Sequence, residues 1–339
     1  MPRACSRSRH FLALIDSRQI PCYGYRAECK EGEGMIQKTR FGIDNEWIAI
    51  NSDELSATSS DYVLKAYEID QETLEYALDK NERAHTEYHW SSGRFTIIYN
   101  VLKKTKEDNH YETIPMTFVV KENQLITIYN HDNAYIVDLM QRYLKKQTNA
   151  ISILKFLFVA LYIISDAYFP YLEQLDSHKD AINHQLRKKI TKASLLALSD
   201  ISTGMIYLVA ATNQNTILLE QFKSQPIYKQ LDEIEREQFE DSIIEAKQLS
   251  SMTQLNAQVL QQLYSTYDNI LNNNLNDHMT ALTIISIFLA ISATVTGFFG
   301  MNVTLPIKDS PYAWLIIIGI SLILCLIYAL LLRFSIWKK

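Results

Sequence analysis

Two long apolar segments near the C-terminus constrain the fold of this chain more than any other feature. Residues 280–299 (TALTIISIFLAISATVTGFF) and 311–332 (PYAWLIIIGISLILCLIYALLL) contain no charged residue. A helix needs ~20 apolar residues to cross the ~30 Å hydrocarbon core of a bilayer, and both segments reach that length. The sequence therefore predicts two transmembrane helices, over residues 280–302 and 311–333.

The connection between these segments sets their relative direction. The loop 303–310 is too short to cross a bilayer again, so the two helices form a hairpin with both chain ends on one side. Arg333, Lys338 and Lys339 follow the second segment, and basic residues are enriched on the cytoplasmic side of membrane proteins. We expect a multi-pass protein of the plasma membrane, in contact with lipid, with a tail 334–339 and both termini in the cytoplasm.

Composition excludes several other classes of protein. The 339 residues carry 33 Lys and Arg against 38 Asp and Glu, a net charge of −5, which gives no basis for a nucleic-acid partner. The four Cys have neither zinc-site spacing nor the pattern of a disulfide framework. The sequence contains no phosphate-cradling loop and no nucleophile motif, so we expect no enzyme and no organic cofactor. Residues 1–34, rich in Arg and Ser, are interpreted as a loosely ordered extension.

Residues 35–147 have the pattern of an α/β cytoplasmic domain. The segments FTIIYNVL, PMTFVV and QLITIYN have strand composition, and DQETLEYALDKNE is typical of a helix capped by Asp70. Residues 148–225 are predicted to be helical, with a weak break at residues 177–180 (SHKD). The apolar stretch 151–165 is interrupted by Lys155, so we interpret it as a buried helix and not as a third span.

Residues 226–279 are predicted to form a long stalk helix. Apolar residues recur there at steps of three and four, at Met252, Leu255, Val259, Leu263, Tyr267 and Ile270. If this helix continues into the first span it covers about 70 residues, or about 100 Å at ~1.5 Å per residue. A helix of that length needs partners along it, and identical chains in a homo-oligomeric bundle supply them.

Small and polar residues lie on one face of the first span, and they allow two interpretations. The members of this face are Thr283, Ser286, Ala290, Ala293 and Gly297. Such residues permit close helix packing in membranes, but a narrow pore wall has the same requirement. The face continues into Asn276, Met279 and Leu282, and the last two side chains would form an apolar constriction that gates by dewetting. Neither span has an ionisable residue at its centre, which disfavours a proton-coupled carrier.

Two further polar clusters could either bind a metal ion or form ordinary protein surface. The start of the stalk is acidic, with Asp232, Glu233, Glu235, Glu237, Glu240, Asp241 and Glu245. These carboxylates form either a solvated face or a regulatory divalent-cation site between subunits, because hard cations take oxygen ligands. The segment HTEYH (85–89) would bind zinc only as a helix. We expect it to lead into a strand and to be ordinary surface.

The triplet Gly300-Met301-Asn302, after the first of two C-terminal spans joined by a short loop, resembles the signature of the CorA family of divalent-cation transporters. The segment LEYALDKNERAHTEYHWSSGRFTIIYNV is similar to the helix-and-strand segment of that family. The resemblance implies a homopentamer with a funnel-shaped cytoplasmic domain and a pore lined by five copies of the first span. It implies that the triplet forms the outer mouth, where Asn302 carbonyls face hydrated Mg²⁺.

The sequence departs from the family pattern at positions that the resemblance links to cation sensing. Tyr76 stands where some members have a sensing aspartate, while Asp241 falls where the stalk partner of that aspartate would be. We therefore take Asp241, Glu237 and Glu75 as a candidate regulatory site for Mg²⁺. At the pore mouth, Phe299 replaces a frequent tyrosine of the family.

The leading hypothesis is a transporter that carries Mg²⁺ down its electrochemical gradient and is gated by cytoplasmic cation. A zinc, cobalt or nickel transporter of the same fold is the nearest alternative, because family members of both kinds share the Gly-Met-Asn mouth. An alternative from another class is a non-conducting, membrane-anchored coiled-coil scaffold or sensor.

Overall fold

The computed structural model describes residues 35–90, 92–107, 109–301 and 311–336. The chain divides into two compact units, Met1–Tyr264 and Ser265–Lys339, which are described separately. The predicted extension 1–34, the mouth residue Asn302 and the loop 303–310 lie outside the described residues.

The first unit is built on a six-stranded mixed sheet. Its strands are β1 (Ile36–Phe41), β2 (Asn45–Asn51), β3 (His85–His89), β4 (Arg94–Glu107), β5 (His110–Lys121) and β6 (Gln124–Tyr129). Their spatial order is β1-β2-β6-β5-β4-β3. Strands β2 and β6 are parallel, and the other neighbouring pairs are antiparallel. The α/β class predicted for this part of the chain is confirmed, as are the three segments with strand composition.

Helices cover both faces of the sheet, which explains why consecutive residues of its central strands are buried. Helices α1 (Ala57–Ala66) and α2 (Gln71–Leu78) contribute to a buried cluster that contains Ile48 of β2. The neighbouring Trp47 points to the other face, because successive strand residues alternate. Its ring there meets Phe156 edge-on at 5.3 Å. As predicted, Asp70 caps α2, accepting a hydrogen bond of 2.8 Å from the Thr73 N–H.

Four helices follow the sheet before the stalk. They are α3 (Ala134–Lys146), α4 (Ile153–Lys188), α5 (Lys192–Phe222) and the short α6 (Pro226–Lys229). The expected break at residues 177–180 is wrong: α4 runs through it and through Pro170. Leu172 and Leu175 are buried beyond the proline, so packing continues the helix. The chain turns instead at Thr191, whose hydroxyl accepts a hydrogen bond of 3.1 Å from the Ser194 N–H and caps α5.

The stalk helix α7 (Glu233–Phe299) has 67 residues and runs without interruption, as the sequence predicts. It begins at Glu233 and not at residue 226. Asp232 Oδ1 accepts a hydrogen bond of 2.7 Å from the Glu235 N–H, and Glu235 Oε2 accepts one of 3.0 Å from the Asp232 N–H. This reciprocal capping box fixes the start of the helix. The part of α7 from Ser265 belongs to the second unit, together with α8 (Ala313–Ile336).

Contacts within the first unit set the directions of α4 and α5 against the stalk. Near the start of both helices, the Ser242 hydroxyl of α7 donates to the Phe158 carbonyl of α4 at 2.8 Å, so α4 runs parallel to α7. Helix α5 returns in the opposite direction. Its Phe222 packs on Phe239, with ring centroids 4.9 Å apart. About 15 Å earlier along α5, the hydroxyls of Thr212 and Thr253 lie 2.9 Å apart.

Candidate functional site

Four helices of the described residues are long and apolar enough to cross a membrane by length and composition: α4, α5, α7 and α8. Burial separates them into two groups. In its most apolar window α4 is 67% buried and α5 is 39% buried, against 6% in α7 and 0% in α8. The apolar residues of α4 therefore serve the core of the first unit, as expected for residues 151–165. The apolar residues in the corresponding windows of α7 and α8 are almost entirely exposed.

Within the second unit, α8 packs on one face of α7. The ring of Phe288 meets Tyr328 edge-on, with centroids 5.7 Å apart. Val295 is buried as well, and it lies on the same side of α7 as Phe288 because seven residues make about two helical turns. Helix α8 continues to Ile336, three residues into the predicted tail.

The small-residue face of α7 lies on the opposite side from Phe288. All of its members are exposed: Thr283, Ser286, Ala290, Ala293 and Gly297. The three residues that continue this face toward the first unit are exposed as well: Asn276, Met279 and Leu282. The predicted pore-lining residues therefore share one uncovered face, about half a turn away from the face that carries α8.

The hydroxyls on this face are oriented by the helix itself. Thr283 donates to the Met279 carbonyl and Ser286 donates to the Leu282 carbonyl, each at 2.8 Å. Because each hydroxyl proton is used within the helix, the oxygen lone pairs remain to accept hydrogen bonds from outside it. Such a face can accept hydrogen bonds from water, including the water shell of a cation.

The start of the Gly-Met-Asn triplet ends the long helix. Gly300 N–H donates to the Thr296 carbonyl at 2.9 Å. A Cβ atom on Gly300 would lie 3.0 Å from that carbonyl oxygen, so a side chain at this position would press against the last helical turn. Met301 follows with half of its surface exposed.

The candidate regulatory carboxylates do not form a complete metal site within one chain. Glu75 is exposed on α2 and accepts a hydrogen bond of 2.8 Å from Gln71 Nε2. Glu237 and Asp241 are exposed one turn apart on α7. In the part of the chain that the structure describes, no group of three or more His, Cys, Asp and Glu side chains is arranged to hold a metal ion. Two other members of the acidic cluster, Asp232 and Glu235, form the capping box of α7.

Tyr76, at the position where the resemblance predicts a sensing residue, is engaged within its own helix. Its hydroxyl donates to Glu72 Oε1 at 2.6 Å. This hydrogen bond to a carboxylate is the main cause that raises the pKa of Tyr76 to about 12. The side chain is therefore neutral at physiological pH and offers a cation no charged oxygen.

The segment HTEYH forms the edge strand β3, which places His85, Glu87 and His89 on one face, as expected. His89 Nε2 lies 3.4 Å from Glu87 Oε2 and 3.5 Å from Asp70 Oδ2. His85 Nδ1 contacts the Arg83 carbonyl at 2.9 Å. These contacts connect the strand to the start of α2 and to its own chain neighbours.

Sequence reasoning missed a buried acidic pair in the first unit. Asp166 of α4 and Glu245 of α7 are both more than nine-tenths buried. Burial raises the pKa of Asp166 to about 6. Burial, together with the nearby charges of Asp166 and Asp241, raises the pKa of Glu245 to about 7. The signal was present, because Asp166 directly follows an apolar stretch that was itself predicted to be buried.

Known proteins resemble this chain over most of its length. The family model described as "CorA-like Mg2+ transporter protein" matches residues 44–333. The cobalt/magnesium transport protein CorA of Methanocaldococcus jannaschii is 22% identical over 270 residues, covering 78% of this chain and 83% of the relative.

Two solved structures share the fold. The complete CorA magnesium transporter from Methanocaldococcus jannaschii has a TM-score of 0.71 at 21% identity, covering 85% of this chain and 90% of the other. The full-length CmaX protein has a TM-score of 0.65 at 13% identity, covering 86% and 89%. The family match spans most of the described residues, including both apolar helices, and the resemblance first noted at Gly300-Met301-Asn302 is confirmed. The chain is a membrane protein that belongs to the family of CorA-like Mg²⁺ transporter proteins, and it is a divalent-cation transporter and not an enzyme.

Proposed function

We propose that the protein is a homopentameric channel of the plasma membrane that carries Mg²⁺ down its electrochemical gradient. The observation that carries the proposal is the division of α7 into two faces. Helix α8 packs on the face of Phe288, while the opposite face is small, oxygen-bearing and uncovered in one chain. Five copies of that face around an axis would enclose a narrow path.

The chemistry of this face suits a hydrated divalent ion. Mg²⁺ gives up its water reluctantly, so a pore that handles it through its hydration shell needs acceptors and not charged ligands. The Thr283 and Ser286 oxygens are such acceptors, since their protons are used within the helix. At the mouth, Gly300, Met301 and Asn302 form the selectivity site, with the Asn302 amide oxygens accepting from the waters of the ion.

The membrane potential supplies the driving force in this proposal. An inside-negative potential of 100 mV favours entry of a divalent ion by about 4.6 kcal/mol. The pore is closed by Met279 and Leu282, whose apolar side chains exclude water when they approach one another. Asn276 forms a polar throat on the cytoplasmic side of this constriction.

Regulation by cytoplasmic Mg²⁺ acts through Glu75, Glu237 and Asp241, with the site completed between subunits. Both chain ends lie in the cytoplasm.

The test is Mg²⁺ uptake into proteoliposomes that contain a fluorescent Mg²⁺ indicator and hold an inside-negative potential. Wild-type protein is compared with Asn302→Ala and with the matched control Asn81→Ala, which removes the same amide from an exposed turn of the first unit. We expect uptake by wild type and control. Asn302→Ala should lose roughly tenfold or more, since a hydrogen bond to a charged group is worth ~1.5–3 kcal/mol.

Two results would contradict the proposal. If Asn302→Ala transports as fast as wild type, the triplet is not the mouth of the path. If wild type passes no divalent ion in either orientation, the chain does not conduct, and the scaffold or sensor alternative replaces the channel.

Cobalt is the second candidate ion, because the relative from Methanocaldococcus jannaschii is named a cobalt/magnesium transport protein. The same vesicles loaded with a Co²⁺-sensitive dye distinguish the two. A cobalt transporter would take up Co²⁺ at concentrations where Mg²⁺ uptake is absent, and a magnesium channel would show the reverse order.

A further inference from the structure

The tip of the α4–α5 hairpin carries a dense group of positive charge. Its members, which we call the basic tip, are Arg187, Lys188, Lys189 and Lys192. The chain as a whole has a net charge of −5, yet no Asp or Glu occurs between residues 181 and 199. The basic tip is therefore a region of positive charge in a chain whose net charge is negative.

The basic tip is exposed and holds a defined shape. All four side chains are exposed, and among the described residues none of them forms a salt bridge. The connection between the helices is only Lys189 to Thr191, with Thr191 capping α5. Leu186 and Ser194 are buried on either side of the turn, which joins the two helices beneath the charges. The charges therefore sit on a structured turn between two packed helices.

Local helix stability explains only part of this pattern. Arg187 and Lys188 lie in the last turn of α4, where cations are favoured by the helix dipole. Lys192 is the first residue of α5, where the same dipole disfavours a cation. Lys189 lies between the helices. Half of the basic tip therefore has no stabilising role in the helices that carry it.

The hairpin carries the basic tip toward the end of the first unit at which α7 leaves it. Helix α4 runs parallel to α7, and α5 runs back toward Phe222. Lys192 lies 20 residues before Thr212, which contacts Thr253, so the tip extends about 30 Å beyond that contact in the chain direction of α7. The apolar segment 280–299 belongs to the same uninterrupted helix α7.

We propose that the basic tip binds the anionic lipid headgroups of the membrane that the protein spans. A cluster of four or more Lys and Arg beside a membrane span is attracted to anionic lipid, with about a fivefold gain in partition for each cation near the surface. Leu196 follows Lys192 by one helical turn, so the two lie on one face, and it is 55% exposed. That leucine offers an apolar contact beside the charges. The proposal rests on the proposed function in taking residues 280–299 as a span.

The test is hydrogen–deuterium exchange of the full-length protein in nanodiscs. Discs of phosphatidylcholine alone are compared with discs that also contain phosphatidylglycerol. We expect the amides of residues 185–196 to exchange at least about fivefold more slowly in the anionic discs than in the neutral discs. The protection should disappear when NaCl is raised from about 0.01 M to about 1 M, which shortens the Debye length from ~30 Å to ~3 Å.

Charge variants separate lipid binding from other causes of protection. The test variant combines Arg187→Glu, Lys188→Glu, Lys189→Glu and Lys192→Glu. The control variant makes the same charge change at four exposed lysines elsewhere in the first unit, with Lys65→Glu, Lys80→Glu, Lys145→Glu and Lys229→Glu. We expect the test variant to lose the protection and the control to keep it. Circular dichroism of both variants checks that they remain folded.

The inference is overturned if neutral and anionic discs give the same exchange, or if the test variant stays protected. It is also overturned if protection grows with protein concentration and not with lipid charge, because the partner is then an acidic protein surface. None of these readouts depends on transport. A protein that binds anionic lipid but conducts no cation would refute the proposed function alone, and one that conducts without lipid-dependent protection would refute this inference alone.

Discussion

The Ser152 hydroxyl donates a hydrogen bond of 2.5 Å to Glu235 Oε1, and this contact joins the starts of two long helices. Ser152 is the N-cap of α4, where its oxygen accepts from the Lys155 N–H at 3.1 Å. Glu235 uses its other oxygen in the capping box of α7. One carboxylate therefore fixes both the first turn of the stalk and its position beside α4.

Glu235→Ala should destabilise the first unit, because it removes the capping box and the bond to Ser152 together. Each such interaction is worth about 1 kcal/mol, so the loss is about 2 kcal/mol. In a domain of this size that lowers the midpoint of thermal unfolding by roughly 4–8 °C. Near-UV circular dichroism of the full chain in detergent measures it. The control is Glu233→Ala, which changes an exposed residue in the first turn of the same helix and should shift the midpoint much less. Equal shifts in the two variants would contradict the role of Glu235 in joining α4 and α7.

Glu245 makes the stability of the first unit depend on pH. Its folded pKa of about 7 lies above the ordinary value, because burial disfavours the charged form. The native state thus holds a proton that the unfolded state has released, so stability falls as pH rises from about 4.5 to about 7 and then levels off.

Glu245→Gln removes this penalty. The variant should be more stable than wild type by about 2 kcal/mol at about pH 8, with the difference close to zero at about pH 4. Thermal unfolding of both proteins across that range measures the effect. Glu173→Gln, an exposed carboxylate of α4, should show no such divergence. A wild-type protein whose stability rises between about pH 5 and about pH 7 would reverse the sign and refute the prediction.

The sequence predicted the parts of this molecule that follow from local chemistry. Apolar length identified the helical segments 280–299 and 311–332, and strand composition identified β4, β5 and β6. It could not predict contacts between distant residues. Gly204 of α5 is an example, because a Cβ there would lie 3.2 Å from His110 Cβ of β5. The helix needs glycine at that point to approach the sheet, yet nothing in the sequence around residue 204 reports how close β5 comes.

The misplaced break in α4 has the same origin. SHKD has weak helix propensity and Pro170 precedes it, so local preference favours an interruption. Leu172 and Leu175 are buried against the rest of the unit, and their packing overrides that preference. The pairing of Asp166 with Glu245 was likewise invisible, since 79 residues separate them in the chain and only the parallel packing of α4 and α7 brings their charges together.

Tyr76→Asp should strengthen inhibition of transport by cytoplasmic Mg²⁺. Tyr76 now donates its hydroxyl to Glu72, and its raised pKa keeps it neutral. An aspartate there, beside Glu75, would restore the oxygen ligand that the resemblance places at this position. Uptake measured against increasing Mg²⁺ on the cytoplasmic side should show half-inhibition at a concentration about tenfold lower than wild type, the effect of ~1.4 kcal/mol. Tyr62→Asp, on the neighbouring helix α1, is the control. Unchanged inhibition in Tyr76→Asp would remove this position from the sensing site.

Met279→Ser and Leu282→Ser together should leave the pore unable to close. Both side chains are about two-thirds exposed on the uncovered face of α7, where five copies would form the apolar constriction. Serine hydroxyls keep such a constriction hydrated, so dewetting no longer stops the ion. We expect Mg²⁺ uptake to continue at cytoplasmic Mg²⁺ concentrations that stop wild type. Ile285→Ser, which lies well away from the centre of the small-residue face, controls for a polar residue in the same segment. If the double variant closes like wild type while Ile285→Ser leaks, the gate lies on another face of the helix.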